Sequence, residues 1–161
     1  MNIIKRNIPV LLDYGGGYNG YITDETRVYV IGALDHIFRK PYEVAREIVE
    51  TTMEFAREGI NGKEVYEKAY NLVKKAGLED YFMGHGRGKV GFIGHGLGLE
   101  INELPVITPR HSIILQEGMV FAFEPKFIFP GRGAVGIEVD FIVRKDSLER
   151  VTDAPIDMVF I

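Results

Sequence analysis

The sequence predicts a single α+β domain made of an N-terminal β-hairpin, two helices and a second group of strands. Two stretches rich in apolar and β-branched residues, 9–15 and 26–32, flank glycines and an Asn-Gly pair that are typical of a hairpin turn. Two stretches with apolar residues at helical spacing follow, and two further strand-like stretches lie near the C-terminus. This order does not suit a doubly wound sheet, in which strands and helices alternate along the chain.

Length and composition narrow the class of protein. The chain has 161 residues, of which 46% are apolar and 26% are charged, a balance typical of one globular domain and not of a disordered chain. The formal net charge of −4 provides no general attraction to nucleic acid or to an anionic membrane. No apolar run approaches the roughly 18 residues of a membrane-spanning helix, and the N-terminus lacks the apolar core of a signal peptide. The sequence contains no cysteine, which fits a reducing compartment, so we expect a cytoplasmic protein without nucleic-acid or membrane partners.

Proline and glycine mark the bounds of the later elements. Pro41 suits the first turn of a helix that is predicted to run to about Arg57. A second helix is predicted from about Lys63 to Ala76, and Gly77 is its stop signal. Two strand regions, 119–129 and 135–143, are joined by a predicted turn of sequence Pro-Gly-Arg-Gly.

Acidic residues lie inside the predicted strands, where apolar residues are expected. Asp13 follows an apolar run in the first strand, and Glu124 and Glu138 lie in the third and fourth strand regions. A carboxylate in such a run is unfavourable unless it is paired, protonated or bound to a cation.

Hairpin symmetry brings these acids into pairs, because facing residues of an antiparallel hairpin have a constant sum of residue numbers. Asp13 and Asp24 are symmetric about position 18.5, and Glu124 and Glu138 are symmetric about position 131, both within predicted turns. Each hairpin is therefore predicted to hold two acids roughly opposite each other, which is unfavourable without a cation between them. The alternative is that either register slips by one or two residues and the acids face solvent.

His95 is the fifth candidate ligand, since glycines on both sides let the backbone approach a site closely. A lone histidine is more often structural, but beside four strand acids it becomes a candidate metal ligand. Four carboxylates and one imidazole suit Mn²⁺, Co²⁺, Fe²⁺ or Zn²⁺. Four carboxylates exceed the needs of one ion, which favours two ions that share bridging carboxylates.

The segments around these five residues resemble the pita-bread metallopeptidases, which include methionine aminopeptidase, aminopeptidase P, Xaa-Pro dipeptidase and the related creatinase. Asp13–Arg27 resembles the segment that carries the family's first two ligands, with the same separation of eleven residues and the same trailing Asp-x-Thr-Arg. Residues 94–99, Gly-His-Gly-Leu-Gly-Leu, resemble the family segment that carries the histidine ligand. Residues 118–125 and 136–140 resemble the family segments that carry the fourth and fifth ligands. The Xaa-Pro dipeptidase and aminopeptidase P branch is the more similar one.

The resemblance implies an incomplete pita-bread fold, with a curved antiparallel sheet and two helices on one face. Because the first ligand is already residue 13, residues 1–161 are expected to form a single domain that is the C-terminal part of the family's catalytic domain. The four segments that resemble the family are spread over most of the chain, from about residue 9 to residue 144.

The resemblance also implies a role for each candidate residue. Asp13 would bind one ion, His95 and Glu124 the other, and Asp24 and Glu138 would bridge the two. The ions would be Mn²⁺, Co²⁺, Zn²⁺ or Fe²⁺, and a hydroxide between them would attack the scissile carbonyl. His95 and Glu124 are the expected catalytic residues, and Glu124 would carry the proton to the leaving amine. The implied substrate is a peptide or an Xaa-Pro dipeptide, and the implied assembly is a homodimer.

The sequence departs from this branch at two positions. Members usually carry a histidine four residues before the ligand histidine and another seven residues after it, and this chain has Gly91 and Asn102 there. Asn102 is the candidate substrate-binding residue, because its amide donates a hydrogen bond but carries no proton to transfer. A non-catalytic pita-bread binding module, an inactive fragment that keeps the metal site and a creatinase-like C–N hydrolase remain as alternatives. The phenylalanines at 121, 123, 127 and 129 are expected to form either core or a dimer interface.

Overall fold

The structure, a computed structural model, describes residues 3–161 as a group of sheets with two helices. The strands are β1 (Pro9–Tyr18), β2 (Tyr21–Val30), β3 (Gly94–Gly96), β4 (Glu103–Ile107), β5 (Val120–Phe123), β6 (Lys126–Phe129), β7 (Gly133–Gly136), β8 (Val139–Val143), β9 (Leu148–Arg150) and β10 (Val159–Phe160). The α-helices are α1 (Arg39–Phe55) and α2 (Gly62–Ala76), and single 3₁₀ turns lie at His36–Phe38 and Gly86–Gly88.

The predicted N-terminal hairpin is present, with longer strands than expected. Its two-residue turn is Asn19-Gly20, and both turn residues have positive φ angles, 51° and 88°. This is the backbone that a tight hairpin turn requires and that Asn-Gly adopts readily. The second strand was predicted at 26–32, which is too late in the chain, since β2 begins directly after the turn. β10 pairs in parallel with β2 and gives a sheet in the order β1-β2-β10.

The remaining strands form a five-stranded sheet in the order β4-β3-β5-β8-β9 and a two-stranded ribbon, β6-β7. Each of the two predicted strand regions is divided in two, by Glu124-Pro125 between β5 and β6 and by residues 137–138 between β7 and β8. The register continues across the break, because Phe123 faces Val139 on one side of it and Lys126 faces Gly136 on the other. The two facing strands are therefore interrupted at the same level.

Both helices are confirmed to within two residues of their predicted bounds. Asn61 caps α2 by accepting a hydrogen bond from the Lys63 N–H, and Gly77 ends it in the left-handed conformation at φ 69°. α1 packs against β6, β7 and α2, so that the helices cover one face of the sheets. Neither helix of the described residues has the length and apolar character that crossing a membrane requires.

Aromatic residues of the central strands fill the core between sheet and helices. Phe121, Phe123 and Phe127 are fully buried, and Phe129 is nearly so. The choice between core and dimer interface, which the sequence left open, is therefore settled in favour of core. Phe127 packs against Phe82 with ring centroids 5.4 Å apart.

Replacing Phe127 by alanine tests this assignment. The substitution leaves a cavity in a fully buried position, and we expect the free energy of unfolding to fall by about 3–5 kcal/mol. Phe160→Ala is the matched control, because the Phe160 side chain is 55% exposed and its loss should change stability by no more than about 0.5 kcal/mol. Chemical denaturation followed by circular dichroism measures both values, and equal losses at the two positions would contradict the assignment.

Candidate metal centre

Four of the five predicted ligands converge on one buried point. His95 Nε2 lies 4.0 Å from Asp24 Oδ2, 3.9 Å from Glu124 Oε1 and 4.0 Å from Glu138 Oε1. Ligand atoms of Asp24, His95 and Glu138 all lie within 4.8 Å of one another. The four side chains are largely buried, and Glu138 is only 2% exposed.

Each ligand candidate comes from a different part of the sheets. Asp24 lies in β2 and His95 is the middle residue of β3, while Glu124 and Glu138 lie at the breaks that interrupt the two facing strands. A Cβ atom on Gly94 would lie 2.5 Å from the Ala122 carbonyl oxygen, so β3 approaches its neighbour more closely than another residue type would allow. Gly94 thus lets the backbone next to His95 lie close to β5.

The register of the second hairpin is confirmed, and that of the first is shifted. Glu124 and Glu138 occupy facing positions, since the pairing of β6 with β7 and of β5 with β8 follows the predicted symmetry. In the first hairpin Asp13 faces Thr26 and Gly15 faces Asp24, so the predicted direct opposition of Asp13 and Asp24 was wrong by two residues. A shift of two keeps both acids on the same face of the hairpin, because side chains alternate with a period of two.

Asp13 is the predicted ligand that lies outside the close cluster. Its side chain is exposed, on the face of β1 that Asp24 shares across the hairpin. Its charge nevertheless acts on the site. Burial is the main cause that raises the pKa of Asp24, and the charge of the Asp13 carboxylate is the next largest cause. The residue is therefore adjacent to the four converging side chains without contacting His95.

Hydrogen bonds orient the two innermost ligands. His95 Nδ1 lies 3.2 Å from the Gly96 carbonyl oxygen, which favours an Nδ1–H donor and leaves the Nε2 lone pair directed at the three carboxylates. The Thr26 hydroxyl donates to Glu138 Oε2 at 2.6 Å, which leaves Glu138 Oε1 directed at His95. This is the arrangement of metal ligands that are held by a second layer of hydrogen bonds.

The electrostatics of the cluster favour a bound cation. Burial raises the pKa of Glu138 to about 8, against the opposing effect of the Thr26 hydrogen bond, and the charges of Glu124, Asp24 and Asp13 raise it further. Carboxylates that resist ionisation in this way are stabilised by a divalent cation, which also uses the Nε2 lone pair of His95. The donor set of oxygens and one nitrogen therefore fits a divalent metal ion.

The structure adds three site residues that sequence reasoning missed. Lys126 forms an ion pair with Glu124 Oε2, and Asp140 Oδ2 accepts a hydrogen bond from the Asp24 backbone N–H at 2.9 Å. Both lie two residues after a ligand candidate, a spacing that places them on the same side of an extended chain and that could have indicated them. Burial raises the pKa of Asp140 to about 7.

Arg27 is the third missed residue and acts on the backbone of the site. Its buried guanidinium donates to the carbonyl oxygens of Thr26 and Glu138 at 2.9 and 2.7 Å, and to those of Ala154 and Pro155 at 2.8 Å each. One side chain thus fixes β2, the break before β8 and the C-terminal segment relative to each other.

The two positions that depart from the family pattern have different surroundings. Asn102 lies beside His95 in a groove that Phe92, Leu104 and Val106 also line. A Cβ atom on Gly91 would lie 2.6 Å from the Arg110 guanidinium, so Arg110 fills the space that a side chain at position 91 would take.

The buried acids predict how stability depends on pH when divalent ions are removed with EDTA. The folded-state pKa values of Asp24, Glu138 and Asp140 are all raised above their ordinary values, to about 8 for Glu138 and about 7 for Asp140. Between pH 5 and 8 the folded chain therefore holds protons on Glu138 and Asp140 that the unfolded chain has released. The free energy of unfolding then falls by up to about 1.4 kcal/mol per pH unit for each of these two groups. Urea denaturation at pH 5, 6, 7 and 8 measures this slope. Glu138→Gln should reduce it, and a stability that rises with pH over this range would contradict the prediction.

Comparison with known proteins identifies the family. The sequence matches metallopeptidase family M24 over residues 1–145. It is 34% identical over 158 residues to an Xaa-Pro dipeptidase of Lactobacillus helveticus and 35% identical over 149 residues to one of Pyrococcus furiosus. These matches cover 98% and 92% of this chain but only 41% of each relative, so the chain spans about two-fifths of the length of the relatives that it matches.

Solved structures give the same result at the level of the fold. A dipeptidase of Pyrococcus horikoshii superposes with a TM-score of 0.91 at 36% identity, over 99% of this chain and 43% of that protein. An X-Pro aminopeptidase of Thermotoga maritima superposes with a TM-score of 0.90 at 27% identity, over 98% of this chain and 43% of that protein. The predicted incomplete pita-bread fold is confirmed. On the family match and the fold together, the chain belongs to metallopeptidase family M24.

Proposed function

We propose that this chain is the C-terminal, metal-binding part of a dinuclear metal-dependent peptidase of the Xaa-Pro dipeptidase or aminopeptidase P type. The observation that carries the proposal is the convergence of His95 Nε2 with carboxylate oxygens of Asp24, Glu124 and Glu138 at 3.9–4.0 Å. Relatives named Xaa-Pro dipeptidase support the choice of substrate class, a peptide or an Xaa-Pro dipeptide. The lack of cysteine in the sequence supports a reducing compartment such as the cytoplasm.

In this proposal Asp24 and Glu138 would be ligands common to two divalent ions. Asp13 would be a further ligand of one ion, and His95 and Glu124 would be further ligands of the other. The central position of Asp24 and Glu138, and the electrostatic effect of Asp13 on both, support this division. The ions are of the Mn²⁺, Co²⁺, Zn²⁺ or Fe²⁺ class. When bound, such ions polarise a scissile carbonyl and lower the pKa of a water molecule.

The chain's own residues perform the remaining tasks. Glu124 directs Oε1 at the cluster, and this carboxylate would take up a proton from the attacking water molecule and deliver it to the leaving amine. His95 keeps its Nδ1 proton on the Gly96 carbonyl and so holds Nε2 towards the site. Asn102 donates a hydrogen bond to substrate in the groove beside His95, where Phe92, Leu104 and Val106 provide apolar contact for a side chain or a prolyl ring.

A second candidate function is a non-catalytic binding module, or an inactive part that keeps the metal site. Two observations favour it: the chain spans about two-fifths of its relatives, and neither Gly91 nor Asn102 can transfer a proton. We expect the isolated chain to bind metal but to hydrolyse Xaa-Pro dipeptides slowly, because loss of one positioned donor typically costs on the order of 10²–10³ in rate.

Metal binding by the isolated chain tests the core of the proposal. After equilibrium dialysis against Mn²⁺, we expect bound metal in the wild type and a large loss in Glu138→Gln, since this change removes a charged ligand at the centre of the cluster. Glu117→Gln is the matched control, because Glu117 is exposed and is not one of the ligand candidates. Elemental analysis measures the bound metal, and equal binding by all three proteins would contradict the site.

Asn102→His tests the catalytic assignment. A histidine at this position restores a group that can both donate a hydrogen bond and transfer a proton, so we expect Xaa-Pro hydrolysis with Mn²⁺ to rise by about tenfold or more. Asn102→Gln keeps an amide and serves as the control. Glu124→Gln in the Asn102→His background should abolish the gain, and a gain that survives this change would show that Glu124 is not the proton carrier.

Homodimer formation is the remaining part of the proposal. Apolar side chains are exposed at Ile4 and Ile8 in the N-terminal segment and at Leu12 in β1. They support a contact with a second copy of the chain. Light scattering coupled to size-exclusion chromatography should give about twice the mass of the chain, and Leu12→Glu should shift the species towards the monomer. A monomeric wild type would remove the dimer from the proposal without affecting the metal site.

A further inference from the structure

One residue pair joins the two segments that carry the central acids of the site. Asp24 lies in β2 of the three-stranded sheet, whereas Glu138 lies at the break between β7 and β8. In the part of the chain that the structure describes, the only β-type pairing between these segments is the antiparallel bridge of Thr26 with Glu138. The Thr26 N–H donates to the Glu138 carbonyl oxygen at 3.4 Å, and the Glu138 N–H donates to the Thr26 carbonyl oxygen at 3.2 Å. Both bonds are long, so the bridge alone is a weak connection.

The Arg27 guanidinium reinforces this bridge. Its Nη1 donates to both carbonyl oxygens of the pair, to that of Thr26 at 2.9 Å and to that of Glu138 at 2.7 Å. These bonds are shorter than the two backbone bonds of the bridge, and hydrogen bonds from a charged donor are roughly twice as strong as neutral ones. We call Arg27 Nη1 and these two carbonyl oxygens the arginine clamp. The clamp is the stronger part of the connection between the two segments.

The other nitrogens of the guanidinium hold the clamp in place. Nε donates to the Pro155 carbonyl oxygen and Nη2 to that of Ala154, each at 2.8 Å. Glu25 Oε2 lies 3.4 Å from Nη2 and balances the charge of a side chain that is only 2% exposed. Every nitrogen of a rigid, planar group is therefore engaged, and the group cannot turn without breaking several bonds.

We propose that Arg27 is a positioning residue of the metal centre, which sets the separation of the Asp24 and Glu138 carboxylates by clamping the bridge between their segments. The inference rests on the proposed metal centre and adds to it the residue that fixes its geometry. Glu138 is itself a bridge residue, and Asp24 lies two residues before the other one, Thr26, on the same face of β2. A shift of the bridge would therefore move one carboxylate relative to the other. Arg27 acts through the backbone, because it bonds to the carbonyl oxygen of Glu138.

Mn²⁺ binding by the whole chain tests the proposal. Equilibrium dialysis gives the dissociation constant, and electron paramagnetic resonance distinguishes a coupled Mn²⁺ pair from separate ions. Arg27→Met keeps an unbranched side chain but removes every donor of the clamp. We expect the dissociation constant for Mn²⁺ to rise on the order of 10- to 100-fold, the usual effect of losing a residue that orients metal ligands, and the signal of a coupled pair to be lost. Arg27→Lys keeps the charge but replaces the planar fork by a compact ammonium, so its dissociation constant should lie between those of the wild type and Arg27→Met.

Two control variants separate the clamp from general stability. Ile48 is fully buried in α1 and is not a ligand candidate, so Ile48→Ala should lower the unfolding temperature and leave Mn²⁺ binding unchanged. Arg57→Met makes the matched substitution at an exposed arginine and should resemble the wild type in both measurements. Thermal unfolding followed by circular dichroism, in EDTA, shows which variants are folded at the temperature of the binding experiment.

The outcomes distinguish the role of Arg27 from the metal centre itself. Weaker Mn²⁺ binding in folded Arg27→Met, with unchanged binding in Ile48→Ala, supports the positioning role. Wild-type binding in folded Arg27→Met overturns that role and leaves the metal centre intact, and Arg27→Lys decides in the same way if Arg27→Met does not fold. Equal weakening in Ile48→Ala also overturns the role, because lost stability alone then accounts for the effect. No bound Mn²⁺ in the wild type overturns the proposed metal centre, and the role of Arg27 with it.

Discussion

Mutual repulsion between buried carboxylates is the constraint on which the organisation of this structure depends. Carboxylate oxygens of Asp24, Glu124 and Glu138 lie 3.9–4.0 Å from the same imidazole nitrogen. Burial raises the pKa of both Asp24 and Glu138 there. Such a cluster opposes folding unless a cation offsets it. The hydrogen bonds from Thr26 to Glu138 and from the Asp24 backbone to Asp140, and the ion pair with Lys126, each reduce the unfavourable energy at one carboxylate.

The interruption of two facing strands is how the sheet places two of these acids. A regular strand would direct Glu124 and Glu138 into the pattern of its apolar neighbours, which are fully buried. Pro125 has no N–H to donate, and the Glu124 N–H donates to the Ile93 carbonyl oxygen rather than to the facing strand. The two strands therefore lose regular pairing between Phe123 and Lys126, but they keep the same register on both sides of the break. Glu124 and Glu138 face each other within it.

The parts of this arrangement that sequence predicted are those that local chemistry determines. Helix bounds followed from Pro41 and Gly77, and the second hairpin followed from a tight turn and a pairing that continues without a shift. The first hairpin was displaced by two residues, because the turn is Asn19-Gly20 and the glycines before it belong to β1. β3 was missed as a strand, since three residues with two glycines carry no periodic signal, and its pairing depends on distant strands. The place of Lys126 depends on the direction of one side chain, which residue order alone does not specify.

The Arg27 guanidinium has a consequence for where this domain can be cut. The family match ends at residue 145, yet Arg27 is anchored on the carbonyl oxygens of Ala154 and Pro155 as well as on that of Glu138. A boundary drawn from the shared family region alone would remove two of the four carbonyl acceptors of a buried cation and leave the N–H groups that donate to them unsatisfied, which is costly. The segment from 151 to 161 is short and carries no ligand candidate. Through Ala154 and Pro155 it holds the Arg27 guanidinium, which in turn donates to the carbonyl oxygen of Glu138. The choice of expression boundary or affinity tag near the C-terminus therefore affects the anchoring of Arg27, and through it the peptide of Glu138, which is 111 residues from Arg27 in sequence.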